Sequence, residues 1–302
     1  MSRWSTVWMM VGIVSLLVVG CTSRPGRTIS GAPTWSPTPT ATRMPSPTLT
    51  PEVTVVMPST EEGQTVRFTV VYDNNEYAPT LRATWGFACW VEAGEATVLF
   101  DTGGDGPTLL GNMAKLSLDP LAIDAIVLSH IHGDHTGGLA GLLETGTRPT
   151  VCVPAAFPAS FKADVRARAD LVEVTEPVEI LPGVYTTGQM GSRTVEQALV
   201  VEAGAGWVVL TGCAHPGIVE MVHQAKEVAA GEVALAMGGF HLGGASRDQI
   251  EGIIAEFRRL GVRRVAPCHC TGDRARQIFA HAYGADCTLA GVGWVVSVGS
   301  GG

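Results

Sequence analysis

Ser129-His130-Ile131-His132-Gly133-Asp134-His135-Thr136-Gly137-Gly138 follows an apolar run, Ile123 to Leu128, that reads as a buried strand. Neutral imidazole is the commonest transition-metal ligand. Two histidines one residue apart at a strand end point the same way, because side chains alternate along an extended chain. Asp134 and His135 then turn toward a neighbouring position. Four metal-binding side chains in six residues would compete for protons unless cations shared them. Chance is a poor account, since three of the chain's eight histidines fall here.

The other histidines extend the pattern. His215, His241 and His269 each follow a short apolar strand: Trp207–Leu210, Val233–Met237 and Val265–Ala266. Each is flanked by Gly, Cys or Pro, as in Gly212-Cys213-Ala214-His215-Pro216-Gly217 and Pro267-Cys268-His269-Cys270-Thr271-Gly272. Loops at strand ends carry function on a rigid scaffold. His223 and His281 fall at helical surface spacing and read as solvated. Cys268 and Cys270 flank His269, so along an extended chain neither points with it, and both read as structural. Cys89 and Cys152 lie inside apolar strand-like runs and read as buried thiols rather than parts of a disulfide framework.

Strands and helices can be placed around these loops. Strands are expected at Val66–Tyr72, Phe87–Val91, Thr97–Phe100, Val151–Val153, Ala198–Glu202, Trp207–Thr211, Val233–Met237, Val262–Ala266 and Thr288–Val298. Helices are expected at Pro107–Leu116, Gly138–Leu143, Ala155–Ala169, Pro216–Ala230, from Ser246 to Leu260, and Asp273–Ala282. Two blocks thus alternate hairpin strands with helices. That pattern implies an α/β fold, an αββα sandwich of two mixed β-sheets with outer helices.

The motif His130-x-His132-x-Asp134-His135 resembles the mark of the metallo-β-lactamase fold superfamily. The longer pattern is similar to the subgroup typified by 7,8-dihydropterin-6-yl-methyl-4-(β-D-ribofuranosyl)aminobenzene 5′-phosphate synthase. Matching stretches include Trp85-Gly86-Phe87, Leu99 to Gly103, Asn112, Glu196-Gln197-Ala198-Leu199, Thr211 to Gly217, Gly239-Phe240-His241-Leu242 and Cys268 to Gly272, within residues 65–300. The resemblance implies two divalent metal ions, with Zn leading and Mn or Fe also compatible with the donors. It implies His130, His132 and His215 at one metal, and Asp134, His135 and His269 at the other. Asp134 would also orient the nucleophile. Asp101, at an earlier strand end, would hold a ligand histidine by its far nitrogen. One departure stands out: the strand Trp207–Leu210 runs into Gly212-Cys213 where many members have a bridging Asp. Either Cys213 takes that place or the bridge is water alone. His241 is a further candidate ligand or substrate contact, the alternative being that it supports a ligand through a hydrogen bond. Trp85, Phe87 and Phe240 read as core.

The resemblance implies a metal-bound hydroxide attacking a small-molecule ester, lactone or phosphoester. The synthase-like transferase is the alternative, and a non-catalytic metal-binding domain a second one. Composition agrees with a small-molecule enzyme. The net charge is −8, only 16% of residues are charged, and lysine occurs only at Lys115, Lys162 and Lys226. Such a chain lacks the clustered cations that nucleic-acid binding requires.

Residues 1–21 read as a lipoprotein-type signal: Arg3, an apolar run from Val7 to Gly20, then Val18-Val19-Gly20-Cys21 resembling a lipobox. Cys21 would carry the acyl chains and anchor the exported protein to the outer face of the cell membrane. Residues 22–64 read as a linker, with six Pro and six Thr between positions 33 and 51 that favour an extended spacer. The folded domain is expected over residues 65–302.

Overall fold

The computed structural model describes residues 64–299. The signal, Cys21 and nearly all of the linker lie outside these residues. Among the described residues no helix is long and apolar enough to cross a membrane.

The first half carries strands β1 (Val66–Tyr72), β2 (Ala88–Ala93), β3 (Ala96–Phe100), β4 (Ala125–Val127), β5 (Thr150–Pro154) and β6 (Asp170–Val174), with helices α1 (Gly106–Lys115), α2 (Gly133–Thr136), α3 (Leu139–Glu144) and α4 (Ala159–Arg166). The second half carries β7 (Val178–Leu181), β8 (Val184–Thr186), β9 (Leu199–Ala203), β10 (Gly206–Thr211), β11 (Val233–Gly239) and β12 (Val262–Cys268), with α5 (Ile218–Val228), α6 (Arg247–Arg259) and α7 (Asp273–Tyr283). A last strand, β13 (Val295–Val298), returns to the first sheet.

Two sheets result, ordered β13-β1-β2-β3-β4-β5-β6 and β12-β11-β10-β9-β8-β7. Both are mixed. Antiparallel hairpins β2–β3 and β9–β10 each continue into parallel neighbours, β3–β4–β5–β6 and β10–β11–β12. The central strands are apolar nearly throughout because both faces are covered, while the edge strands β6 and β7 are largely exposed. In β2, Cys89 and Val91 enter the layer between the sheets, while Ala88 and Trp90 face the helices. In β10, Val208 and Leu210 turn inward, and Trp207 and Val209 face α5 and α6. Helices α1, α3 and α4 cover the first sheet, and α5, α6 and α7 cover the second. This is the αββα sandwich that the sequence pattern implies. Cys89 and Cys152 are buried free thiols in its central layer.

Local signals set the helix ends. Ser246 accepts from the Gln249 amide at 3.2 Å, and the Gln249 side chain accepts from the Ser246 N–H at 2.8 Å, closing a capping box on α6. Elsewhere the expected bounds shift. The helix expected from Ala155 starts at Ala159, because residues 155–157 make a turn that ends at Pro158. The closing strand expected over Thr288–Val298 shrinks to Val295–Val298. Gly293 at φ +90° turns the chain just before it, and Val292 makes only an isolated bridge to Glu76.

The parallel strands matter most for function. Parallel neighbours end on one edge, so the loops after β3, β4, β10, β11 and β12 all leave the sandwich at the same rim. Gly238 lets β10 and β11 approach there. Its φ is +107°, and a Cβ would lie 2.1 Å from the Thr211 carbonyl oxygen. Gly238→Ala is expected to lower unfolding stability by at least about 2 kcal/mol through overpacking and backbone strain. Gly111→Ala, on the open face of α1 with nothing within 4 Å of the new methyl group, is expected to stabilise by roughly 0.5–1 kcal/mol. Urea unfolding midpoints of the two variants check both values.

Candidate metal centre

The rim assembles every histidine of the strand-end set. His130 Nε2 lies 3.1 Å from His132 Nδ1, and the His130 and His132 rings sit 4.8 Å and 4.9 Å, centroid to centroid, from His215. Asp134 Oδ2 lies 3.6 Å from His135 Nε2 and 3.5 Å from His269 Nε2. Donor atoms of Asp134, His135, Cys213 and His269 all fall within 4.8 Å of one another, as do those of His130, Cys213 and His215. Cys213 belongs to both groups, with its Sγ 3.3 Å from His135 Nε2. It occupies the shared position between them. His132 and His241 are the exposed members of the set.

The tautomers are keyed from behind. Asp101 Oδ2 is 2.7 Å from His135 Nδ1 and accepts its proton, which leaves the Nε2 lone pair facing the cluster. The same carboxylate accepts from the Ser129 N–H and the Ser129 hydroxyl, both at 2.7 Å. With its own proton given to Asp101, Ser129 Oγ accepts from His130 Nδ1 at 2.9 Å. His269 Nδ1 gives its proton to Asn74 Oδ1 at 3.0 Å. Three imidazoles therefore present Nε2 to one centre.

Two buried carboxylates hold the loops themselves. Glu196 Oε1 accepts from the amides of Cys213 (2.8 Å) and Ala214 (2.9 Å), and its Oε2 accepts from His215 N–H (2.8 Å). Asp73 Oδ2 accepts from His269 N–H at 3.0 Å, and Asp73 Oδ1 accepts from Asn75. Burial raises the pKa of both carboxyls against these backbone donors.

At His130 and His215 the electrostatics disfavour protons. Burial pushes the His130 pKa far below its ordinary value, helped by the imidazoles of His135, His215, His132 and His269. His215 is pushed down to about 4 by burial, then by His241 and His132. Burial opposes ionisation of Asp134, but the neighbouring imidazoles of His269 and His135 hold its pKa below the usual carboxylate range. His135 goes the other way: Asp101, Asp134 and Glu196 outweigh its burial and raise it.

Metal ions fit this arrangement on one direct observation. His215 Nε2 and His269 Nε2 are buried with no hydrogen-bond partner. Orphaned buried acceptors are rare in folded proteins, and both face mixed N, O and S donors of the kind that zinc and its neighbours take.

Two sequence expectations are corrected. Cys270 is not a bystander. The chain does not stay extended past β12 but enters a 3₁₀ turn over His269–Thr271, with His269 at φ +45°. Alternation then fails, and the Cys270 thiol joins Cys213 and His241 with donor atoms within 4.8 Å. The Cys270 pKa falls to about 4 through the hydrogen bond with Cys213 and that with His241, while Cys213 is raised by the same contact. Trp85 is not core either: it is 58% exposed, with its ring 4.9 Å from that of His269. Phe87 and Phe240 are buried. His241 packs its ring 4.4 Å from that of His215.

Glu196, Asp73, Asn74 and Ser129 were not read from the sequence as functional. Glu196 and Ser129 lie inside motif stretches, which is a signal. Asp73 and Asn74 carry none.

Comparison with known proteins agrees with this geometry. The model of the metallo-beta-lactamase superfamily matches residues 86–227. A Methanocaldococcus jannaschii protein named 7,8-dihydropterin-6-methyl-4-(beta-D-ribofuranosyl)-aminobenzene-5'-phosphate synthase is 28% identical, over 63% of this chain and 80% of its own length. A crystal structure of Tm1679, a metal-dependent hydrolase of the beta-lactamase superfamily, superposes with a TM-score of 0.64 at 27% identity, covering 78% of this chain and all of that one. The metallo-beta-lactamase fold protein YhfI from Bacillus subtilis matches with a TM-score of 0.59 at 14% identity, over 78% of this chain and 99% of its own. The chain has the metallo-β-lactamase fold. Within that fold it is similar to the synthase and to the hydrolase just named.

Asp101→Asn removes one acceptor from the His135–Ser129 pair. Metal affinity is expected to fall about 10–100-fold, the usual effect of losing a hydrogen bond behind a ligand, as read by competition with a chromogenic chelator.

Proposed function

We propose that this protein is a metal-dependent hydrolase of small-molecule esters, lactones or phosphoesters. The observation that carries the reading is the pair of buried, partnerless nitrogens, His215 Nε2 and His269 Nε2, on opposite flanks of Cys213. His130, His132 and His215 would hold one divalent ion, and Asp134, His135 and His269 the other, with Cys213 between. Zinc suits the imidazole and thiol donors best. Such ions supply Lewis acidity and an activated water near neutral pH.

The chain's own residues do the rest. Asp134 is partly open to solvent, with 21% of its side chain exposed, and keeps its charge. It can accept a hydrogen bond from an attacking water and fix its direction. Asp101, Ser129 and Asn74 hold the imidazoles, and Asp73 holds the His269 backbone, so that little reorganisation is needed during reaction. His241 stands at the mouth of the site, where a substrate entering from either side meets it.

A second reading is a transferase joining two ring compounds, as the name of the 28%-identical relative indicates for that protein. The exported, membrane-anchored location inferred from residues 1–21 favours hydrolysis over an intracellular biosynthetic step. That location is itself part of the proposal.

Purified protein is expected to hold one to two transition-metal ions per chain by elemental analysis. His130→Ala and His269→Ala are expected to lose metal and activity together, and metal-free wild-type protein would remove both enzyme readings. A panel of phosphodiester, lactone and thioester substrates, run beside a pterin condensation assay, separates hydrolase from transferase. Labelled palmitate is expected to enter the wild-type chain and not Cys21→Ser, and equal labelling would end the anchoring proposal.

A further inference from the structure

Two clefts open at the metal centre, with His241 as their common wall. One, of about 620 Å³, is lined by Trp85, Leu242, Ile253 and Cys270 among others. The other, of about 470 Å³, is lined by Ser192, Arg193, Thr194, His215 and Pro216 with Gly191. The two linings differ in charge. No carboxylate lines either cleft, and Arg193 is the permanently charged side chain among them. In a chain of net charge −8 such a spot is unusual.

Arg193 is exposed, and its side chain makes no hydrogen bond or ion pair among the described residues. A free guanidinium on a floppy loop would mean little. This loop is pinned at three points. Met190 and Glu196 bridge across its base with N–H···O distances of 2.8 Å and 3.0 Å. The Glu196 carboxylate is fixed to the amides of Cys213, Ala214 and His215. Gly191 packs on Pro216 so closely that a Cβ would meet its Cγ at 3.2 Å, and its φ of +81° suits glycine. The loop that carries Arg193 is therefore locked to the loop that carries His215.

We propose that Arg193 is the anion anchor of the substrate, so that the substrate class is a small molecule bearing a phosphate or carboxylate beside the scissile bond. This rests on the metal-centre reading above and adds to it the charge of the ligand. The planar fork of arginine matches either oxyanion in a two-point contact. Ser192 and Thr194 offer hydroxyls on the same wall, and the apolar cleft with Trp85 is left for an uncharged body.

The test is calorimetric binding to the metal-loaded protein, with phenyl phosphate and benzoate as the anionic probes and benzamide as the neutral one. Arg193→Gln is expected to weaken the anion that the site prefers about 10-fold to 100-fold, the usual loss for a charged hydrogen bond. Arg193→Lys is expected to recover part of that loss. Metal content and thermal midpoint are expected to match wild type in both variants, and benzamide binding to be unaffected. The relative loss for the two probes tells phosphate from carboxylate. Undiminished anion binding by fully metallated Arg193→Gln, or no anion binding by metallated wild type, would overturn the proposal. Failure of the wild type to take metal at all would instead strike the metal-centre reading.

Discussion

Both halves of the histidine cluster hang on one buried carboxylate. Asp101 ends β3, receives the N–H and hydroxyl of Ser129 from the loop after β4, and receives His135 Nδ1 from α2. Through Ser129 it also reaches His130. A fully buried carboxylate without donors would be expensive, so the motif loop and Asp101 require each other. This explains why β3 and β4 must be parallel neighbours: only then do Asp101 and the His130 loop leave the sheet on the same side. The second sheet repeats the device with Glu196, which gathers three consecutive amides of the loop after β10. Each sheet thus fastens its ligand loop with an acidic residue from elsewhere in the chain, and the central apolar layer sets the distance between the two.

Backbone conformation tells the same story. Non-glycine residues at positive φ are Asp101, Ser117, Ala214, His241 and His269 among the described residues. All but Ser117 border the centre. Left-handed backbone is unfavourable for residues with a Cβ and persists only where surroundings over-determine it. Here the over-determination is visible: Ala214 N–H is held by Glu196, His269 N–H by Asp73, and Asp101 by its three donors. The strain re-aims side chains that a regular strand would have sent to alternate faces.

That re-aiming separates what the sequence discloses from what it conceals. The sandwich was legible because two-sided burial writes unbroken apolar runs, and because Pro, Gly and Ser246 punctuate the helices. The motif residues were legible because four ligands sit within six positions. His215, His241 and His269 followed from their place after apolar strands. Cys270 was misread, since the rule used to dismiss it assumes an extended chain, and His269 at φ +45° breaks that assumption. Asp73 and Asn74 were invisible because they act on His269 across nearly two hundred residues, and only the pairing of the two sheets brings them near. Glu196 sat in a matching stretch, but its role is to accept backbone protons, which leaves no side-chain pattern to read.

The charge balance completes the logic of the site. An acidic chain repels anions as a whole, yet the centre it builds includes two imidazoles, His130 and His215, whose protonation is opposed by burial and by neighbouring imidazoles. A cation at the rim would meet lone pairs at His130 and His215 rather than competing protons. The local field then reverses near the ions, and an anion can approach only where no carboxylate stands in the way. The Arg193 cleft meets that condition, and the helix-covered faces of the sandwich, with their paired surface acids and bases, do not. Selectivity for charge thus follows from where the fold keeps its carboxylates: apart from Asp134, which faces the centre, Asp101, Glu196 and Asp73 stand behind the histidines as hydrogen-bond acceptors.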